Sequence, residues 1–158
     1  MQTDFVRELF ELCHREGLNT CLDTSGCILN DSVKSVLAIT DRVLLDIKYT
    51  TDGLYRDNVG CGIDTPLAFL DYLGEQGIAT TLRQVIIPTL NDNVENILAL
   101  KALVDSHKTV DKVELLPFRK ICQVKYDNMG IEFPFANIPE PSREAMARFD
   151  KILKNGDK

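Results

Sequence analysis

The sequence predicts an α/β fold of about four parallel strands joined by crossover helices. Three observations predict it. Segments of helical apolar period alternate with short β-branched runs along all 158 residues. The turns between them are short, which favours right-handed βα crossovers. Two strand-like runs, 18–23 and 42–48, end on charged or small polar residues, as ligand-facing strand ends of parallel sheets do.

The elements follow in order. Residues 4–16 read as a helix with Phe5, Val6, Leu9, Phe10, Leu12 and Cys13 on one broad face, and Gly17 as its C-terminal cap. Residues 18–23 form a short strand. Asn30, Asp31 or Ser32 caps a helix carrying Val33, Val36 and Leu37. Residues 42–48 are the second strand. Thr65 and Pro66 open a helix through Leu67, Leu70 and Leu73 that Gly77 closes. Residues 78–87 form a third strand, rich in β-branched residues and stopped by Pro88. The Asn91-Asp92-Asn93 run caps a helix through Ile97, Leu100 and Val104, and 112–118 is the fourth strand. A long connection leads to a last helix opened by Pro141 and Ser142. A closed barrel needs about eight strands, so four leave the sheet open at both edges.

Composition narrows the function. Hydrophobic residues make up 44% of the chain, enough for a packed core. The net charge of −6 argues against non-specific binding to nucleic acid or an anionic membrane. No apolar run approaches the roughly 18 residues of a membrane span, and the N-terminus has no signal-like pattern. The sequence reads as cytosolic. Cys13, Cys21, Cys27, Cys61 and Cys122 form no C-x-x-C pair and read as reduced, buried small hydrophobes. His14 and His107 read as solvated residues, and two histidines make no zinc cluster.

The strand ends carry the chemistry. In 42–48, Val43, Leu45 and Ile47 share one face; Leu44, Asp46 and Lys48 share the other. An acid and a base on neighbouring same-side positions make either a strand-end ion pair or a polar pocket for a zwitterionic or anionic small molecule. Arg83, in an otherwise apolar strand, either reaches water at a sheet edge or holds a carboxylate or phosphate. Asp23, followed by Thr24, Ser25 and Gly26, reads locally as a cap or turn. Arg119 follows the fourth strand and reads as a solvated arginine.

Several motifs stand together in this order: TCLDTSG (20–26), VLLDIK (43–48), LRQVIIPTLND (82–92) and VELLPF (113–118), followed by KY (125–126) and MGIEF (129–133). With them the chain, from about Gln2 to Leu153, resembles the glycyl-radical-enzyme activating enzymes of the radical S-adenosylmethionine (SAM) superfamily, of the pyruvate formate-lyase-activating type. The resemblance implies a single domain over 1–158 that is an incomplete (β/α)6 radical SAM, TIM-like barrel with its first strands absent. It implies a parent oxidoreductase in which a [4Fe–4S] cluster, held by a C-x-x-x-C-x-x-C loop, reduces SAM to give a 5′-deoxyadenosyl radical. That radical takes a hydrogen from a backbone glycine of pyruvate formate-lyase or a related glycyl-radical enzyme. An electron donor such as flavodoxin or ferredoxin is a second implied partner; nucleic acid and membrane are not.

Position by position, the resemblance makes Asp46 and Lys48 the D-x-K residues that contact SAM. Arg83 becomes a strand arginine facing the active site, and Arg119 stands where the family has a SAM-contacting histidine. Asp23 and Thr24, completed by Asp46, match a monovalent-cation site beside SAM. The chain departs from the family in two segments: it has neither C-x-x-x-C-x-x-C nor G-G-E. Met1 is therefore expected to be an internal methionine or a chosen start, and the 158 residues alone are expected to be inactive. Two rival readings use the same residues: a Schiff-base lyase of aldolase type with Lys48 as nucleophile, and a non-catalytic SAM- or peptide-binding module whose gene begins at Met1.

Overall fold

The computed structural model describes residues 2–154; Met1, with the expectation attached to it, lies outside the described residues. Among the described residues, seven helices and four strands follow in the order α1 (Thr3–Arg15), β1 (Cys21–Thr24), α2 (Asp31–Leu37), β2 (Arg42–Asp46), α3 (Asp52–Val59), α4 (Asp64–Gln76), β3 (Ala79–Ile86), α5 (Val94–Ser106), β4 (Val110–Pro117), α6 (Gln123–Met129) and α7 (Arg143–Lys154). The strands form one sheet in the order β1-β2-β3-β4. β1 pairs with β2, and β2 with β3, in parallel. The fold is therefore the four-stranded, helix-first α/β arrangement expected.

The helix ends obey local chemistry. Asn30 caps α2 by accepting the Val33 N–H at 3.0 Å. Gly17 takes a left-handed conformation after α1, and the Leu18 N–H returns to the Cys13 carbonyl at 2.9 Å. Asn93 accepts the Asn96 N–H and Ser142 accepts the Ala145 N–H, so the predicted caps of α5 and α7 are in place.

By its contacts the chain divides into two compact units, Met1–Gln84 with Ala102–Glu114, and Val85–Lys101 with Leu115–Lys158. In the first, the alternation of β2 buries Val43, Leu45 and Ile47 completely, against a core that includes Val33, Leu37, Tyr55, Phe69, Leu73 and Leu82. In the second, Ile86, Ile97 and Phe149 form the centre, with Leu115, Met146 and Leu153 packed on it.

Four expectations need correction. Two helices, α3 and α6, occupy stretches read as connections. β1 and β2 are shorter than read, because each strand's pairing is limited to the residues in register with its neighbour. The apolar face of α1 is not all covered: Phe5, Leu9 and Leu12 are exposed, since one face of the helix packs on α2 and cannot bury so broad a stripe. None of the five cysteines is fully buried, and Cys21 and Cys122 are exposed; Cys21 lies on a strand at the end of the sheet order and Cys122 just before a surface helix.

Candidate functional site

The parallel register decides which side chains meet. Asp46, the last residue of β2, is the direct partner of Arg83 on β3, so the two project from the same face on adjacent strands. Arg83 Nε donates to Asp46 Oδ1 at 2.8 Å, and its Nη2 donates to Asp23 Oδ1 at 2.6 Å. Lys48 Nζ donates to the other Asp46 oxygen at 2.7 Å. The four charged residues singled out around the strand ends thus form one network of two acids and two bases.

The network is graded in depth. The Arg83 and Asp46 side chains are 16% and 19% exposed, Lys48 35% and Asp23 60%. Burial works against the Arg83 charge, but its hydrogen bonds to Asp23 and then Asp46 outweigh it and hold the guanidinium firmly protonated. A half-buried carboxylate served by both an arginine and a lysine is oriented as well as neutralised.

Supporting atoms fix the loops. Thr24 Oγ1 accepts the Gly26 N–H at 3.1 Å, a turn of the kind hydroxyl residues favour. Gly26 has φ +66°, and a Cβ there would sit 2.9 Å from Leu45 Cδ1. Glycine is therefore required both by conformation and by the close approach of the β1 loop to the core. The Tyr55 hydroxyl accepts the Lys48 backbone N–H at 3.0 Å, tying α3 to the end of β2. Burial pushes the Tyr55 phenol up to about 12, so it stays neutral. Tyr55 was missed in the sequence; the Thr51 cap and the Gly60 that bracket its helix were the available signal.

Arg119 belongs to the second unit. It lines a cavity of about 670 Å³ with Pro117, Glu140, Ser142, Arg143 and Asp150, a mixture of both signs of charge. His14 is exposed near the end of α1, as read, with its Nε2 2.9 Å from Asp41 Oδ2. His107 is not solvated as expected: its side chain is 14% exposed and its Nε2 lies 2.9 Å from Asp71 Oδ1. Their partners are far away in sequence, so no local pattern reveals them.

Among the described residues no group of three or more His, Cys, Asp or Glu is arranged to hold a metal ion. The five cysteines do not fit an iron–sulfur cluster, and no residue of this chain is assigned to one. The strand-end network fits a zwitterion better, since it presents a lysine and a carboxylate side by side. No helix of the described residues is long and apolar enough to cross a membrane.

Known structures share this fold. A domain of pyruvate-formate lyase-activating enzyme from Bacteroides vulgatus superposes with a TM-score of 0.78 at 17% identity, covering 97% of this chain and 86% of that one. Coproporphyrinogen III oxidase from Escherichia coli, a radical SAM enzyme, superposes with a TM-score of 0.67 at 13% identity, over 98% of this chain and 37% of that one. The fold is that of the radical SAM enzymes. No protein-family model matches the sequence. In sequence, the chain is 31% identical over 156 residues to the pyruvate formate-lyase 1-activating enzyme of Escherichia coli K12, covering 98% of this chain and 63% of that protein. The chain is homologous to the pyruvate formate-lyase-activating enzymes, and it spans just under two thirds of the length of the curated relatives it matches.

Proposed function

We propose that this chain supplies the SAM-facing strand ends of an activating enzyme that installs a glycyl radical on pyruvate formate-lyase or a relative. The observation that carries the proposal is the Asp23–Arg83–Asp46–Lys48 network, which spans three adjacent parallel strands with Lys48 just past the end of β2. SAM held by Lys48 and Asp46 would, when reduced by an iron–sulfur cluster, supply the hydrogen-abstraction chemistry that acts on the partner's glycine. The residues of this chain do the holding. Lys48 exchanges Asp46 for the methionine carboxylate, acting as a point charge. Asp46 is aimed by Arg83, and Tyr55 fixes the backbone at Lys48. Arg119 is a further cofactor contact in this proposal. Flavodoxin or ferredoxin is the proposed class of electron donor.

The monovalent-cation role of Asp23, Thr24 and Asp46 carries a condition. Arg83 already bridges the two carboxylates, so the cation enters only if the guanidinium releases Asp23. No observation favours the aldolase reading: Lys48 Nζ sits in an ion pair instead of an apolar pocket that would keep it neutral. None favours a non-catalytic module either.

Equilibrium dialysis of the 158-residue chain with labelled SAM tests the proposal. Lys48→Ala is expected to weaken binding about tenfold, the worth of one charge-assisted hydrogen bond. Replacing potassium by tetramethylammonium at equal ionic strength is expected to weaken it further. Equal binding by K48A and the parent chain, or none by either, counts against the assignment.

A further inference from the structure

Two thiols meet outside the charged network. Cys27 lies in the loop after β1, and Cys61 lies between α3 and α4. Thirty-four residues apart in sequence, they bring their sulfurs to 3.8 Å, with the Cys61 thiol donating to Cys27 Sγ. Both are half-buried, whereas Cys21 and Cys122 are exposed.

The backbones on both sides are held in place. Gly26, next to Cys27, lies against Leu45 and Phe69. On the other side, the Gly60 N–H bonds the Tyr55 carbonyl, and the Ile63 N–H bonds Asp52 Oδ1 at 3.0 Å. The sulfurs therefore stay neighbours, and side-chain rotation is what must bring them to the roughly 2.05 Å of a bond.

We propose that Cys27 and Cys61 are a modification site that forms a reversible disulfide on exposure to hydrogen peroxide. The Cys27 thiolate attacks one peroxide oxygen and the O–O bond breaks. The departing hydroxide takes up a proton to become water, and Cys27 becomes a sulfenic acid. The Cys61 sulfur then attacks the Cys27 sulfur; the S–O bond breaks, and the hydroxyl leaves as water with the Cys61 proton. Two thiols lose two electrons, and one peroxide becomes two waters. Burial, and then the hydrogen bond to Cys27, push the Cys61 thiol up, so Cys61 is the poorer first nucleophile. A dithiol reductant reverses the bond by exchange. The link joins the loop that carries Thr24 and Gly26 to the end of the helix whose Tyr55 supports Lys48, so oxidation acts on two supports of the strand-end site at once.

Peptide mapping tests this. The 158-residue chain is treated with a small excess of hydrogen peroxide, alkylated with iodoacetamide and digested without reduction. The expected product is lighter by two hydrogens before alkylation, yields one linked peptide containing Cys27 and Cys61, and is alkylated at the remaining cysteines. Dithiothreitol is expected to restore alkylation of all five cysteines. In Cys61→Ser, dimedone is expected to trap a sulfenic acid at Cys27. The proposal is overturned if Cys27 and Cys61 both remain alkylatable while the exposed Cys21 or Cys122 oxidises, or if the linked peptide joins any other pair.

Discussion

The Tyr55 hydroxyl accepts the Lys48 amide while the ring lies wholly inside the first unit, edge-on to Tyr49 with centroids 6.1 Å apart. Burial raises its phenol from 10.0 to about 12. The neutral form is the one folding favours, so the contribution is whole below pH 10 and is lost as pH rises toward 12. Unfolding free energy from urea titrations is expected to fall in that window by about 1.4 kcal/mol per pH unit for this one group. Tyr55→Phe is expected to remove that share of the slope and to cost about 1 kcal/mol at neutral pH, because the Lys48 N–H loses its acceptor. An unchanged slope in Y55F would assign the alkaline loss to other groups. Asp46, Lys48 and Arg83 were legible in the sequence because period-two alternation segregates charge from apolar residues on a strand. Tyr55 was not, since one aromatic in a polar stretch has no period. The His14 and His107 pairings depend on contacts across the fold, which a local pattern does not contain.

Among the elements, those with strong periodicity were legible, and the two missed helices explain where that signal fails. α3 and α6 have eight and seven residues, about two turns each, too few for an apolar stripe to repeat. Their ends carry the information instead: Thr51 caps α3, and Gly60 and Gly130 turn the chain left-handed after each. The β1 loop allows a sharper test of what glycine does. Gly17 and Gly26 both have positive φ, +72° and +66°, but only Gly26 meets neighbouring atoms. Gly17→Ala is expected to cost about 1–2 kcal/mol for conformation alone. Gly26→Ala is expected to cost about 2–4 kcal/mol, because its methyl also presses on Leu45 and Phe69. Chemical denaturation of the two variants gives the difference; equal losses would mean the loop moves away freely and the contact with the core is unimportant.

For the whole molecule, the cysteine spacing makes a firm prediction. Anaerobic reconstitution of the 158-residue chain with iron and sulfide is expected to give no stable [4Fe–4S] absorption, since its cysteines lie 8, 6, 34 and 61 residues apart in turn and no three ligands are grouped among the described residues. A stable cluster spectrum would show that this reading of the cysteines is wrong. The Asp46–Arg83 pairing has a consequence of another kind, for strand register. Sliding β3 by one residue against β2 would take the guanidinium off its carboxylate and turn the buried alternate positions of β3, Leu82 and Ile86 among them, outward. Turning β2 itself would drive Asp46 into the layer filled by Val43, Leu45 and Ile47. The Asp46–Arg83 pair therefore fixes the alignment of β2 and β3 as well as balancing charge.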